Sequence, residues 1–490
     1  MIRKITLVLA AAGVLGCSSS VFAESTSTKA TLQQEIKTLQ AQLAALETKV
    51  NKNQSASAKS SKTSTVGFSN TLPESTQTTP LIAPSNVLVA NYVGVEPRFD
   101  GFNLIVNNPG VNNDVALLKL RKSEINAYEQ SGQTYTGEPK VIFSGEVEGS
   151  SVYTTPYNTT PAGTNFNLTD AELDTFIEGN RWVSGFMTFT YNSGSDGEVN
   201  AVNNSELQLG QGYVTIGDLT TSPFYGSIGQ MYLPFGRYTN FIVSSPSTKT
   251  LGRIQTRAIN VGYHSTDAEV APFAAVYGYQ GATEIDGNPA SNDDVEDYGA
   301  NVGVNFAKGD YSATLGTSYT SSIASSSGLQ GNGSAGSGFA QNSTSEQLAN
   351  RVPGVDINSL VSYKDYTLLA EYVEATKEFD ASDLSYNGHG AQPKALDIEA
   401  AYSFELWRPS YVAVDYGQSW QSLSLGVPAK NYGIVYSTAI LRNTSLTLEL
   451  MHNIGYSNSD SAELDGQATS NNAGQGESYN SASLRFDLFF

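Results

Sequence analysis

The chain has 490 residues, of which only 15% are charged, and carries a formal net charge of -20 with a mean hydropathy of -0.24. So acidic a balance argues against nucleic-acid binding, because a phosphate backbone would be repelled. A single cysteine, Cys17, and three histidines, His264, His389 and His452, rule out an intramolecular disulfide and make a Cys/His zinc site improbable. Few charges combined with 45 Gly and 27 Tyr suit a chain in which apolar and small polar residues alternate, so that the average looks neutral.

Residues 1–23 read as an export signal. Arg3 and Lys4 precede an apolar core from Ile5 to Gly16 that is too short to span a bilayer, and Val21, Phe22 and Ala23 form a small-x-small cleavage pattern. A second route is compatible with the same residues. Val14 to Cys17 resembles a lipobox, and a lipid on Cys17 would anchor the N-terminus. No later stretch is long and apolar enough for a transmembrane helix, so an exported chain is left with the periplasm, secretion or an outer-membrane barrel.

Within residues 24–54, Leu32, Ile36, Leu39, Leu43, Leu46 and Val50 recur at alternating spacings of four and three, a heptad seam over about three heptads. So narrow an apolar stripe is buried only against another helix. That predicts a periplasmic coiled coil joining copies of the chain, or alternatively a helix docked on its own barrel. Residues 55–80 are Ser, Thr, Lys and Gln with almost nothing apolar, the composition of a flexible linker. In the pre-barrel segment 81–137, Asn113 and Asp114 would cap a helix running to about Tyr128, with Gly132 past its end. That segment would plug the lumen or sit beneath it.

From residue 138 to Phe490 short alternating runs predict an all-β transmembrane antiparallel barrel of about sixteen strands. The last run is the clearest: Leu484, Phe486, Leu488 and Phe490 on one face, Ser483, Arg485 and Asp487 on the other. Every second connection, such as Gly179-Asn180, Lys308 to Asp310 and Lys364-Asp365, is short, and the alternate ones are long and mostly rich in Gly, Ser, Asn and Asp. Short turns at one end and long loops at the other is the rule for outer-membrane barrels. The runs near 205–218 and 224–234 alternate poorly, which points to a partner subunit or a folded-in loop on that side.

The positions inferred to face inward carry Glu146, Glu148, Glu172, Asp174, Glu178, Glu371, Asp397, Glu399, Asp415, Glu449 and Asp487, with Arg485 the surest inward base. Such a wall would favour cations, or else would be solvated without selectivity. Arg253 and Arg257 share a face whose direction alternation leaves open. A loop from Asp286 to Asp297 adds Asp293, Asp294, Glu296 and Asp297, oxygen ligands for a hard cation but without EF-hand spacing. No nucleophile elbow, P-loop or dinucleotide fingerprint is present, and no Ser motif accompanies His389 or His452, so the chain reads as a pore or receptor rather than an enzyme, with no cofactor.

Two stretches are more specific than the alternation. One runs from Tyr213 to Leu219 (YVTIGDL) through Ser222 to Tyr225 (SPFY), Gly229 to Gly236 (GQMYLPFG) and Leu251 to Arg253 (LGR); the other is Phe99 to Val106 (FDGFNLIV). With the leading heptads, these resemble the LbtU-type siderophore porins of Legionella and the FslE and FupA iron-uptake proteins of Francisella. The resemblance runs the length of the mature chain. It implies an outer-membrane route for iron, as ferric siderophore or ferrous ion, and assigns no binding residues. About sixteen strands also differ from the larger plugged barrel of about 22 strands, so direct TonB coupling is not expected. The alternatives are a general diffusion porin and a surface adhesin.

Overall fold

The computed structural model describes residues 87–89 and 110–490, except 133, 158–159, 194–204, 267, 282–283, 286–294, 332–338, 340–346, 442, 465–466 and 469–474. The export signal, Cys17, the heptads, the linker and the acids Asp293 and Asp294 lie outside the described residues.

Sixteen long antiparallel strands form the wall: β1 (Lys140–Thr154), β2 (Gly163–Glu178), β3 (Val183–Ser193), β4 (Ser205–Gly217), β5 (Phe224–Tyr232), β6 (Gln255–His264), β7 (Val270–Tyr279), β8 (Asp297–Lys308), β9 (Tyr311–Thr320), β10 (Gly354–Tyr363), β11 (Tyr366–Ala375), β12 (Lys394–Glu405), β13 (Pro409–Trp420), β14 (Lys430–Ala439), β15 (Thr444–Ile454) and β16 (Ser478–Phe489). Each pairs with its neighbours in sequence, and β16 pairs back onto β1 from Glu146↔Phe489 to Thr154↔Ser481, so the sheet closes. Closure satisfies the backbone of every wall strand, which a lipid environment demands.

The closing seam explains the terminal aromatic. Gly145 and Phe490 exchange two backbone hydrogen bonds of 2.9 Å each. A Cβ on Gly145 would lie 2.7 Å from the Phe490 ring, so only glycine leaves room for that ring over β1. β1 extends past the end of β16, and Val87–Val89 pairs in parallel with Val141, Ile142 and Phe143 along that overhang. An otherwise open sheet edge is thereby covered.

The two-residue rhythm predicted from sequence is the burial rhythm of the wall. Ile398, Val414, Ile434, Leu448, Leu484 and Phe486 are exposed on the outer face, whereas Asp397, Glu399, Asp415, Glu449, Arg485 and Asp487 between them are buried. Aromatics ring the short-turn end: Tyr366 and Tyr402 lie 4.8 Å apart, Tyr402 and Phe404 5.9 Å, and Phe306 and Tyr311 5.7 Å. An apolar outer belt flanked by aromatic girdles is the surface of an outer-membrane barrel. Among the described residues, no helix is long and apolar enough to cross a membrane.

Two of the described elements bond to inward-facing side chains of the wall. Helix α1 (Asn113–Gln130) starts after a turn with Gly110 at φ 80° and Asn112 at φ 60°, and ends before Gly132 at φ 74°, a glycine just past the helix end as expected. The cap expected from Asp114 is not made. Asn112 is the N-cap, and Asp114 is turned to the wall. The second element is the connection between β5 and β6, residues 233–254, which folds inward and contains helix α2 (Ser247–Gly252). Its PFG and LGR motifs have a packing reason. A Cβ on Gly236 or on Gly252 would lie 2.3 Å from the Tyr238 hydroxyl, so both glycines make way for this fully buried ring. The poorly alternating β4 and β5 are the strands that face α1. Val115 and Leu118 pack on Leu219 and Tyr225.

Candidate functional site

The inward loop crosses from β5 to the opposite wall and is held there by carboxylates. Glu371 on β11 accepts from Arg237 N (2.6 Å) and from Tyr238 N (2.8 Å to its second oxygen). Glu399 on β12 accepts from Phe241 N at 2.7 Å, and Glu449 on β15 from Val243 N at 2.5 Å and Ser244 N at 3.1 Å. The loop returns bonds too: Gly236 N donates to Ser318 Oγ at 2.8 Å, and Tyr411 Oη donates to Phe241 O at 3.0 Å. Amide-to-carboxylate bonds are among the stronger ones, about 1.5–3 kcal/mol each. Three acidic side chains inferred from alternation as wall groups therefore bind the loop backbone and lie beneath it, each no more than 3% exposed.

The remaining acids fall into two groups. Asp397 and Asp415 sit beside Glu399, with one carboxylate oxygen of each of the three within 4.8 Å of the others. Glu146, Glu148, Glu172 and Asp174 share the inner face of β1 and β2, where Glu146 stands opposite Glu172. Arg485 on β16 bridges Glu148 at 3.3 Å and Asp487 at 3.1 Å. Glu178 is at the short-turn end, 3.0 Å from Lys140 and accepting from Tyr135 Oη at 3.0 Å. Glu296 and Asp297, the described acids of the acidic loop, are paired to Arg351 at 3.6 and 3.0 Å. Asp356 on β10, buried beside Glu371 and bonded to Asn358 Nδ2, belongs with these groups. Its outward neighbours Val355 and Ile357 carry the alternation that marks it as inward.

On the other side of the lumen a cavity of about 850 Å³ lies between the inward loop and the wall of β2–β6. Its lining includes Asp170 and Glu172 from β2, Gln211 from β4, and Lys249, Arg253 and Arg257 from the loop and β6. Arg253 stands 4.6 Å over the Tyr232 ring. Alternation left the two arginines undecided and said nothing of Lys249. The legible signal was a long loop bracketed by Gly236 and Gly252 that carries Lys249 and Arg253 at the C-terminal end of α2.

Helix α1 is bonded to the same side of the wall nearer the short-turn end. Asp114 accepts from Ser227 Oγ (2.7 Å) and Asn260 Nδ2 (3.1 Å), inward groups of β5 and β6. Burial raises its carboxyl above the ordinary range, and these bonds oppose the shift. Arg121 donates to the carbonyls of Asn180 (2.8 Å) and Arg181 in the β2–β3 turn, and Lys122 donates to Thr266 in the β6–β7 turn. Burial pulls Lys119 down to about 7, with Arg237 of the inward loop adding to the shift. It pushes Glu124 up to about 7, where Glu178 reinforces the rise and Lys140 opposes it. Helix α1 of the pre-barrel segment is thus tied to inward side chains of β5 and β6 and to the β2–β3 and β6–β7 turns.

No family model matches the chain. It is 34% identical over 412 residues to a UPF0422 protein of Coxiella burnetii, an alignment covering 83% of this chain and 84% of that one. The chain belongs to the UPF0422 family. A second UPF0422 protein, lpg2959 of Legionella pneumophila, is 31% identical over 418 residues, covering 84% of this chain and 77% of its own. Among solved structures, this UPF0422 barrel is similar to the anion-selective porin from Comamonas acidovorans, at 11% identity and a TM-score of 0.46 over 72% of this chain and 100% of that one. It is also similar to Salmonella typhi OmpF, in a complex with daunomycin, at 14% identity and a TM-score of 0.46 over 73% and 99%.

Proposed function

We propose that the protein is an outer-membrane channel whose passage is the cavity between the inward loop and the β2–β6 wall. The supporting observation is the unequal lumen. On one side the loop lies against the carboxylates of β11–β15. On the other a space of about 850 Å³ is left, edged by Lys249, Arg253 and Arg257 facing Asp170 and Glu172. Small polar solutes would cross there one at a time, steered by charges of opposite sign on the two edges. Cation preference, the reading that a purely acidic wall invites, is weakened because Glu371, Glu399 and Glu449 are engaged by the loop.

We further propose that the cargo is an iron species, and within that class an anionic ferric chelate. The iron reading is supported by the resemblance of the stretches Tyr213 to Arg253 and Phe99 to Val106 to siderophore porins. The anionic form is favoured by the three bases at the cavity. The test has two arms. In planar bilayers the purified protein should conduct, and a carboxylate-rich ferric siderophore should reduce the current from the long-loop side. A closed membrane with no channel events would sink the channel reading. In cells, deletion of the gene should lower uptake of radiolabelled ferric siderophore under iron limitation. Conductance with unchanged uptake of both siderophore-bound and free iron would leave a general diffusion porin.

A further inference from the structure

We propose that Asp397, Glu399 and Asp415 hold one hard divalent cation behind the inward loop, and that this ion fastens the loop to the wall. The site is independent of the cargo.

Strand register brings the three together. Glu399 is directly opposite Asp415 on β12 and β13, and Asp397 is two residues before Glu399 on the same inner face, opposite Gly417. Like charges placed directly opposite across a sheet repel. Here three carboxylate oxygens converge to within 4.8 Å, and the residues are buried, at 2%, 0% and 6% exposure. Among the described residues no ion pair reaches any of them, although basic partners are found for Glu148, Glu374 and Asp487 on the same barrel.

The donors reach two of the six carboxylate oxygens. Phe241 N takes Glu399 Oε2, and Asn431 Nδ2 takes Asp415 Oδ2 at 2.5 Å. Asp397 Oδ1, Glu399 Oε1 and Asp415 Oδ1 are fully enclosed and meet no hydrogen-bond partner. Glu449 Oε1, from the neighbouring anchor of the loop, is in the same condition. Buried carboxylate oxygens left without donors are costly unless a cation takes them up. Their neighbour Glu371 differs, since both of its oxygens accept loop amides.

The wall is also cleared around the cluster. A Cβ on Gly433 would lie 3.1 Å from Asp415 Cβ and 2.3 Å from Met451 Sδ, and one on Gly417 would lie 2.1 Å from Asn431 Oδ1. Glycine at both positions lets Asp415 and its donor Asn431 sit side by side. The donor set is all oxygen, without His or Cys, which suits Ca²⁺, Mg²⁺ or Mn²⁺ rather than a softer metal.

The experiment uses the full chain refolded into lipopolysaccharide-free detergent, stripped with EDTA, and titrated with Ca²⁺, Mg²⁺ and Mn²⁺. One equivalent of one of these ions should rebind per chain and raise the unfolding midpoint read by circular dichroism. Asp397→Asn is the first variant, because no loop amide depends on it. It should weaken ion binding by roughly tenfold or more and abolish the shift in midpoint. If that variant fails to fold, Mn²⁺ paramagnetic resonance on the wild type decides: a bound-ion spectrum that Ca²⁺ displaces supports the site. A wild-type chain that shows only free Mn²⁺, binds no ion and has the same midpoint with or without EDTA overturns the proposal, and would mean that the carboxyls share protons instead. Ion binding unchanged in folded Asp397→Asn overturns it as well.

Discussion

The two sides of the lumen follow one sequence rule and serve different ends. On β9–β16 the inward acids meet backbone: Glu371, Glu399 and Glu449 accept from the amides of Arg237, Tyr238, Phe241, Val243 and Ser244, and Asp397 and Asp415 are enclosed beside them. On β2–β7 the inward polar groups meet the helix α1 or open space, as Ser227 and Asn260 do with Asp114, and Gln211 with the cavity. The difference teaches that inward parity in a barrel names a direction and not a solvent. What a side chain meets there depends on what the connections between strands bring inside.

The sharpest way to break this comparison is to free the loop. Replacing Glu371, Glu399 and Glu449 together by alanine removes acceptors worth about 1.5–3 kcal/mol per bond, and single-channel conductance should rise severalfold. Unchanged conductance would mean that the loop holds its place without them. Next in size is charge reversal on the open side. Lys249→Glu combined with Arg253→Glu should move the reversal potential toward cation preference by on the order of tens of millivolts in a salt gradient, while the same change at Lys308, on an exposed turn, should not. If the two changes act alike, the cavity is not the passage.

A smaller effect concerns the seat of α1. Lys119 falls from its ordinary 10.5 to about 7 in the folded state. A base whose folded value is depressed contributes stability above its unfolded value and loses it as pH falls through the folded one. Between pH 7 and pH 9 the wild type should therefore gain roughly 2 kcal/mol relative to Lys119→Met, seen as a narrowing of the difference in unfolding midpoint. A gap that stays constant would place Lys119 in water. The smallest effect is expected at the exposed pair Lys308–Glu269, 3.2 Å apart. Lys308→Ala should change stability by less than about 0.5 kcal/mol, and a larger loss would show that the turn end is less solvated than its exposure indicates.

Much of the molecule was legible beforehand. The alternation of Leu484, Phe486, Leu488 and Phe490, and the short and long connections in turn, are direct consequences of a closed sheet in lipid. The helix over Asn113–Gln130 was readable from its polar start and Gly132 at its end, although Asp114 proved to be an anchor and Asn112 the cap. The folded-in loop left a trace in its glycines, Gly236 and Gly252, while the weak alternation of β4 and β5 goes with strands that face α1. Its destination left none, because amides at residues 237–244 and carboxylates at 371, 399 and 449 are far apart in sequence and no local pattern couples them.

Sequence alone determined the closed β-barrel, its even strand number and which side chains turn from lipid, since a two-residue period and turn length are local properties of the chain. Tertiary structure alone decided which inward acids grip a loop, which crowd together with oxygens left unbonded and which border open space. Those outcomes depend on long-range contacts across the lumen, and the energy of a buried charge is set by its neighbours there rather than by its position along the strand.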